Sequence, residues 1–289
     1  MSARTRPAHL ILLLASLVGV IAFLYPFIAS GLVEAPGTTG GAAAVSQSPL
    51  LTIAIVVLCL SAILAMLGTG AMNARMVAIL GVLTAANAVL RAVPGPAGFA
   101  AVFTLPVLCG YAYGATFGFM LGALSLLASA LIGGGIGPWL PYQMMALGWV
   151  GLTSAWIPDL GRWPRLEALL LAIWALLWGF AFGAIMNIWF WPFIVQPQSG
   201  TMYWQPGQGV LEALKRYGVF YVTTSFWWDL ARAIGNALLT WLMARPVLGL
   251  LRRFERRFFF VWEAQTESGP GVGSLPAEGT GAGPGLAGG

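Results

Sequence analysis

The chain is written in long apolar stretches separated by short polar punctuation. A helix needs about 20 apolar residues to cross the hydrocarbon core of a bilayer. Stretches of this kind run over 9–30, 49–69, 73–93, 98–113, 115–133, 138–157, 166–193 and 217–245. As one helix, 98–133 would extend roughly 54 Å at about 1.5 Å per residue, too far for one crossing. It therefore divides into two short helices that turn near Gly114. The pattern predicts eight crossings and an all-α, polytopic membrane protein. Arg4 and Arg6 precede the first stretch, as they would in a signal peptide. Its apolar run is longer than the usual h-region of about 7–15 residues, so it reads as a retained helix.

Composition supports the same class. The chain is 59% hydrophobic and 8% charged, where soluble domains carry about 25% charged residues. That balance excludes a soluble enzyme, a nucleic-acid binder and a disordered regulator. The net charge of +5 is spread in short clusters at the ends of stretches rather than in one basic face. With the N-terminus in the cytoplasm and eight alternating spans, Arg4, Arg6, Arg75, Arg162, Arg165, Arg245, Arg252, Arg253, Arg256 and Arg257 fall inside. Only Arg91, Lys215 and Arg216 fall outside. Basic residues favour the cytoplasmic side, so both termini are expected there, in a bacterial-type plasma membrane.

Three regions follow: two N-terminal helices over 1–70, a six-helix membrane domain over 71–250, and a basic segment with a tail over 251–289. Residues 252–262 are basic and aromatic and suit an anionic membrane surface. From 263 onward Gly, Pro, Ala and Glu dominate, and the tail is expected to be disordered. Loops 31–48 and 194–216 are placed outside; the second holds Gln196, Gln198, Tyr203, Trp204 and Gln205. Connections of that length are often functional.

Much chemistry is absent. There is no GxxxxGK[ST] loop, no HExxH and no Cys/His cluster with metal-ligand spacing. His9 is the one histidine, and Cys59 and Cys109 lie inside apolar runs without a disulfide pattern. A non-enzymatic chain with neither metal nor cofactor is expected.

What remains is concentrated. Asp229 is the one acid placed mid-membrane and Arg232 the one base, three residues apart on one helix face. Ser225, Trp228, Asn236 and Thr240 extend that stripe. Charges at such depth are costly unless paired or hydrated, so they face a cavity or a partner helix. A self-neutralising pair that orients the helix and a polar wall of a ligand site are both open readings. The segment 133–143, Gly-Gly-Gly-Ile-Gly-Pro-Trp-Leu-Pro-Tyr-Gln, combines free backbone with the stiffness of Pro138 and Pro141. It either holds Trp139 and Gln143 against a ligand or simply joins two helices beside an interfacial Trp belt. Gly110, Gly114, Gly118 and Gly122, with Gly179 and Gly183, are read as close helix packing. The expected outward-facing pocket is lined or bordered by Arg91, Trp139, Gln143, Asn187, Trp204, Asp229, Arg232 and Asn236. Ala74, Ala78, Gly81 and Ala85 form a flat stripe that another helix can approach, either a partner's or one of this chain's own first two.

Residues 73–245 resemble the substrate-binding membrane subunit, the S component, of energy-coupling factor vitamin transporters. The residues that carry the resemblance are Leu83 to Arg91, Gly110 to Gly114 with Gly118 and Gly122, the Gly135 to Gln143 segment, and Asp229 to Ala237. The resemblance implies a six-helix core; the two extra N-terminal transmembrane helices and the Gly/Pro tail depart from the family, and no role is carried over to them. It implies capture of a micronutrient from outside, with a cobalamin-like ligand for the subgroup that carries this loop. It also implies a separate transmembrane coupling subunit, met at Ala74 and Ala78, and two ATPase subunits. The rival readings are a self-contained secondary transporter or channel using Asp229 and Arg232, and a structural membrane scaffold.

Overall fold

A computed structural model of the chain describes residues 6–32, 48–69, 72–93, 95–96, 99–189, 191, 202–205 and 209–267. The described residues are helical, with turns between helices and no strand. In chain order the helices are α1 (Arg6–Leu32), α2 (Ser48–Gly68), α3 (Ala74–Ala92), α4 (Thr104–Tyr113), α5 (Ala115–Ser129), α6 (Leu140–Ser154), α7 (Pro164–Ile188), α8 (Val210–Thr224) and α9 (Phe226–Glu267). Among the described residues, five helices are long and apolar enough to cross a membrane: α1, α3, α5 with the turn that follows it, α7 and α9 up to Phe254. The chain is accordingly an all-helical protein of multi-pass membrane type. Most of the segment 31–48, much of 194–216, both expected outside, and the tail from 268 lie outside the described residues.

The centre of the bundle is made by α4, α5 and α6. Phe103, Leu108, Phe119, Met120, Leu121, Met144 and Leu147 are fully buried there. The sequence permits this because glycines face one another. A Cβ on Gly110 or Gly118 would strike the Gly151 carbonyl, and one on Gly122 would strike the backbone at Leu147. These helices touch backbone to backbone, where dispersion replaces lipid contact. Gly114 separates α4 from α5 at φ +92°, a conformation that side-chain-bearing residues resist. The long stretch 98–133 thus breaks where its length required.

At the far end of α5 the helix widens into a π-type turn over Ala130–Gly134, with Gly133 at φ +155° and Gly135 at φ +79°. Pro141 then sits in the first turn of α6, where its missing N–H has no intrahelical partner to lose. The N-terminal helices lie against α6. Phe23 meets Tyr142 edge-on at 5.0 Å between ring centres, and Trp149 Nε1 donates to Ser16 Oγ at 3.1 Å. Gly19 gives room to Met145. Much of the remaining surface of α1, including Leu13, Leu17 and Ile21, is exposed, as lipid-facing residues are.

Two boundaries differ from expectation. The stretch 217–245 is not one helix: α8 starts at Val210 and ends at Thr224, and α9 begins at Phe226. Thr223 and Thr224 donate their hydroxyls back to the Val219 and Phe220 carbonyls, at 2.8 and 2.7 Å, a habit that bends helices. The ladder survives the bend, because Asp229 N–H still donates to the Ser225 carbonyl at 3.0 Å. Residues 263–267, read from composition as tail, belong to α9. Glu263, Ala264 and Gln265 are good helix formers, and Gly269-Pro270 is the first breaker pair beyond them. Residues from Arg252 onward form a second unit, of which 252–267 are described, as helix.

Candidate functional site

The bend at Ser225 sets the first turns of α9 beside α7. Gly179 and Gly183 of α7 lie on the contact: a Cβ on Gly179 would meet Ala233, and one on Gly183 would meet the Asp229 carboxylate. The α7–α9 approach therefore differs from the α5–α6 approach, because a charged group occupies the space that a glycine leaves. Asp229 is 2% exposed. Its Oδ1 accepts from Arg232 Nη1 at 2.8 Å. Its Oδ2 has no hydrogen-bond partner of ordinary geometry. The Tyr221 phenol is close enough to interact with the carboxylate, and its hydroxyl is shared with the Phe180 carbonyl at 3.5 Å. The Arg232 guanidinium carbon lies 5.6 Å from the centre of the Phe182 ring, within cation–π range.

These groups border a half-open recess of about 280 Å³. Its walls are Gln143 from α6, Phe182, Gly183, Met186 and Asn187 from α7, Ser225 from the bend, and Trp228, Asp229 and Arg232 from α9. Asn187 Nδ2 donates to Ser225 Oγ at 2.7 Å, tying α7 to the bend. Behind Gln143 stands Arg91, at the end of α3. Its guanidinium donates to Ser129 Oγ at 2.7 Å and to Gln143 Oε1 at 3.4 Å. Gly134 of the π-type turn lies against the same guanidinium. Arg91 is thus one residue removed from the recess, and among the described residues it pairs with no acid.

Four of the eight residues expected at a pocket are brought together on its wall: Gln143, Asn187, Asp229 and Arg232. Arg91 reaches it through Gln143. The other three lie elsewhere. Trp139 is 40% exposed, and its ring covers Gly137. Trp204 is half-buried in the short segment 202–205, where Trp191 Nε1 donates to the Met202 carbonyl at 3.0 Å. Asn236 is fully buried and serves the backbone. Its Oδ1 accepts from the N–H groups of Val102 and Phe103 at 3.1 and 3.0 Å, and its Nδ2 donates to the Ala100 carbonyl at 2.9 Å. That side chain fastens the lead-in to α4 onto α9 and has nothing left for a ligand. Thr240 bonds Thr104 at 3.2 Å along the same seam.

Phe182 and Met186 were not picked out in the sequence, although they sit one residue before Gly183 and Asn187 on the same helix face. The apolar floor of a polar recess has no signature of its own in so apolar a chain. Ala74, Ala78, Gly81 and Ala85 are exposed along α3, whereas Leu80, Asn87 and Ala88 of the same helix are buried. Compared with protein-family models, with curated proteins and with solved structures, the chain matches none of them.

Proposed function

We propose that this chain is a membrane-embedded capture subunit that binds a small polar molecule from the outer side of a bacterial-type plasma membrane. The observation that carries the reading is the convergence of Gln143, Asn187, Asp229 and Arg232, from three helices, on one recess of about 280 Å³. Ionisable groups at membrane depth are costly and commonly face a cavity or a pathway, which supports a functional reading of this recess. The volume sits just under the lower end of ligand pockets, about 300 Å³. It favours a ligand of one or two rings over a corrin. The similarity of 73–245 to S components supports the finer reading: a micronutrient importer whose energy comes from a separate coupling subunit and two ATPase subunits. The lack of a nucleotide-binding loop in this chain agrees with that division of labour. The exposure of Ala74, Ala78, Gly81 and Ala85 supports α3 as the surface offered to the coupling subunit. Ala78→Trp is expected to abolish driven uptake and co-purification of that partner, with ligand binding by the isolated chain retained.

The test of the reading itself is mass spectrometry of small molecules released from the chain after purification in mild detergent. One recurrent polar species is expected, with stoichiometry approaching one per chain. An empty recess in every preparation would turn the reading toward a structural scaffold. Ion-coupled uptake by vesicles that contain this chain alone would turn it toward a self-contained secondary transporter built on Asp229 and Arg232.

A further inference from the structure

Positive charge around the recess exceeds negative charge by one. Asp229 and Arg232 cancel, with Oδ1 2.8 Å from Nη1. The carboxylate is packed away against Gly183 and is out of reach of a ligand. Arg91 is left over. It is half-buried, and among the described residues it pairs with no acid. Ser129, itself buried, holds its Nη1 at 2.7 Å, and Gly134 leaves room for the same group. The guanidinium is therefore pinned behind Gln143 rather than free to swing into water. The carbonyl end of α3 offsets about half of its charge. The rest has no counter-charge among the described residues. A proton taken up by Asp229 would only enlarge the excess.

The reachable hydrogen-bonding groups have the matching character. A guanidinium only donates, so the Gln143 amide turns Oε1 to Arg91 at 3.4 Å. Its NH2 group then has no protein acceptor among the described residues. Arg232 spends Nη1 on Asp229, keeps further N–H donors, and its side chain is 25% exposed. Both residues line the recess, so it offers free donors beside an uncompensated cation. A neutral ligand would leave that cation unpaired in a low-dielectric surround, and a cationic one would add to it. Exposed Trp228, with Phe182 and Met186, gives the recess apolar walls. We propose that the recess takes a monovalent oxyanion carried on an apolar body, such as a ring carboxylate, which accepts from Gln143 and Arg232 and balances Arg91. The proposal rests on the capture reading and names the charge of what is captured. The phosphodiester of an anionic lipid presents the same chemistry, and the experiment separates the two sources.

The experiment is calorimetric titration of the full chain in phosphatidylcholine nanodiscs. The probes are benzoate and nicotinate, their amides benzamide and nicotinamide, and benzylamine. At least one carboxylate is expected to bind at least about tenfold more tightly than its amide, because unit charges within about 8 Å attract by more than that ratio requires at an effective dielectric of about 20. Arg91→Gln is expected to erase the preference and leave the affinity for the amide where it was. A merely structural role for Arg91 would weaken both probes together. The comparison within each pair on the unaltered chain stands even where the variant fails to fold. Equal binding of carboxylate and amide, or tighter binding of an amide or of benzylamine, would overturn the charge assignment and leave capture intact. If no probe binds, the charge of the molecule that co-purifies decides: an anion upholds the assignment, and a neutral or cationic molecule overturns it. Silence together with empty preparations would end both readings. Replacing part of the lipid by phosphatidylglycerol separates the sources. Unchanged carboxylate binding upholds a soluble ligand; competition upholds the oxyanion and overturns capture from the aqueous phase.

Discussion

Two glycine-lined contacts in this bundle have the same sequence signature and opposite contents. Between α5 and α6, Gly118 and Gly122 bring backbone against backbone at Gly151 and Leu147. Between α7 and α9, Gly179 meets Ala233 in the same manner, but four residues on Gly183 meets a carboxylate. The first contact closes the core. The second spends the missing Cβ on housing Asp229 and thereby opens a polar recess. A small-xxx-small pair thus reports only that something comes close; what comes close is decided by the partner helix.

The comparison can be broken at its strong end first. Gly118→Val drives a branched side chain into the Gly151 carbonyl and the Gly110 Cα, and backbone cannot turn aside as a side chain can. A loss of about 3 kcal/mol or more is expected, read as a large drop in melting temperature or as loss of folded protein in detergent. Gly183→Ala is next, at about 1–3 kcal/mol, because the Asp229 carboxylate must shift off its partner. Its cost should shrink in an Asp229→Ser background, where the obstructing oxygen is gone. An unchanged cost there would mean that Gly183 closes a backbone contact like Gly118. The weakest case is Gly81, on the exposed stripe, with nothing near its would-be Cβ. Gly81→Ala should leave the isolated chain unchanged or stabilise it by up to about 1 kcal/mol, through helix propensity alone.

The same contrast explains what the sequence revealed. Helical class and the break at Gly114 follow from hydrophobic run lengths, which the bilayer sets. Asp229, Arg232, Gln143 and Asn187 were visible because a polar residue in an apolar helix is conspicuous and has few places to go. Asn236 was equally conspicuous and belongs to no recess. Its partners are the backbone N–H groups of Val102 and Phe103, and main-chain groups in need of a partner leave no trace in residue types. Trp139 was singled out by its loop, yet its ring lies back over Gly137, a local fold that spacing does not report. The bend at Ser225 comes from hydroxyl back-bonds at Thr223 and Thr224, a short-range effect within an apolar window that hydropathy averages away. Asn236→Ala separates the two kinds of polar residue. It should cost about 1–3 kcal/mol for each buried N–H left unmet, seen in the melting curve, with affinity for a recess probe unchanged in the protein that remains folded.

One helix at the centre of the bundle is short. α6 has 15 residues, about 22 Å of helix, while the hydrocarbon layer is about 30 Å thick. It is buried along most of its length and presents little of itself to lipid. Such a segment is a poor candidate for insertion on its own merit during synthesis. It becomes comfortable only once α5 lies against its glycines and α1 against Tyr142 and Trp149. The N-terminal pair is made first and α6 well after it, so the ribosome delivers the central helix to neighbours already in place. Deleting α1 and α2 should therefore show first as misassembly at the membrane, with newly made chains degraded, before any effect on a bound solute can be measured.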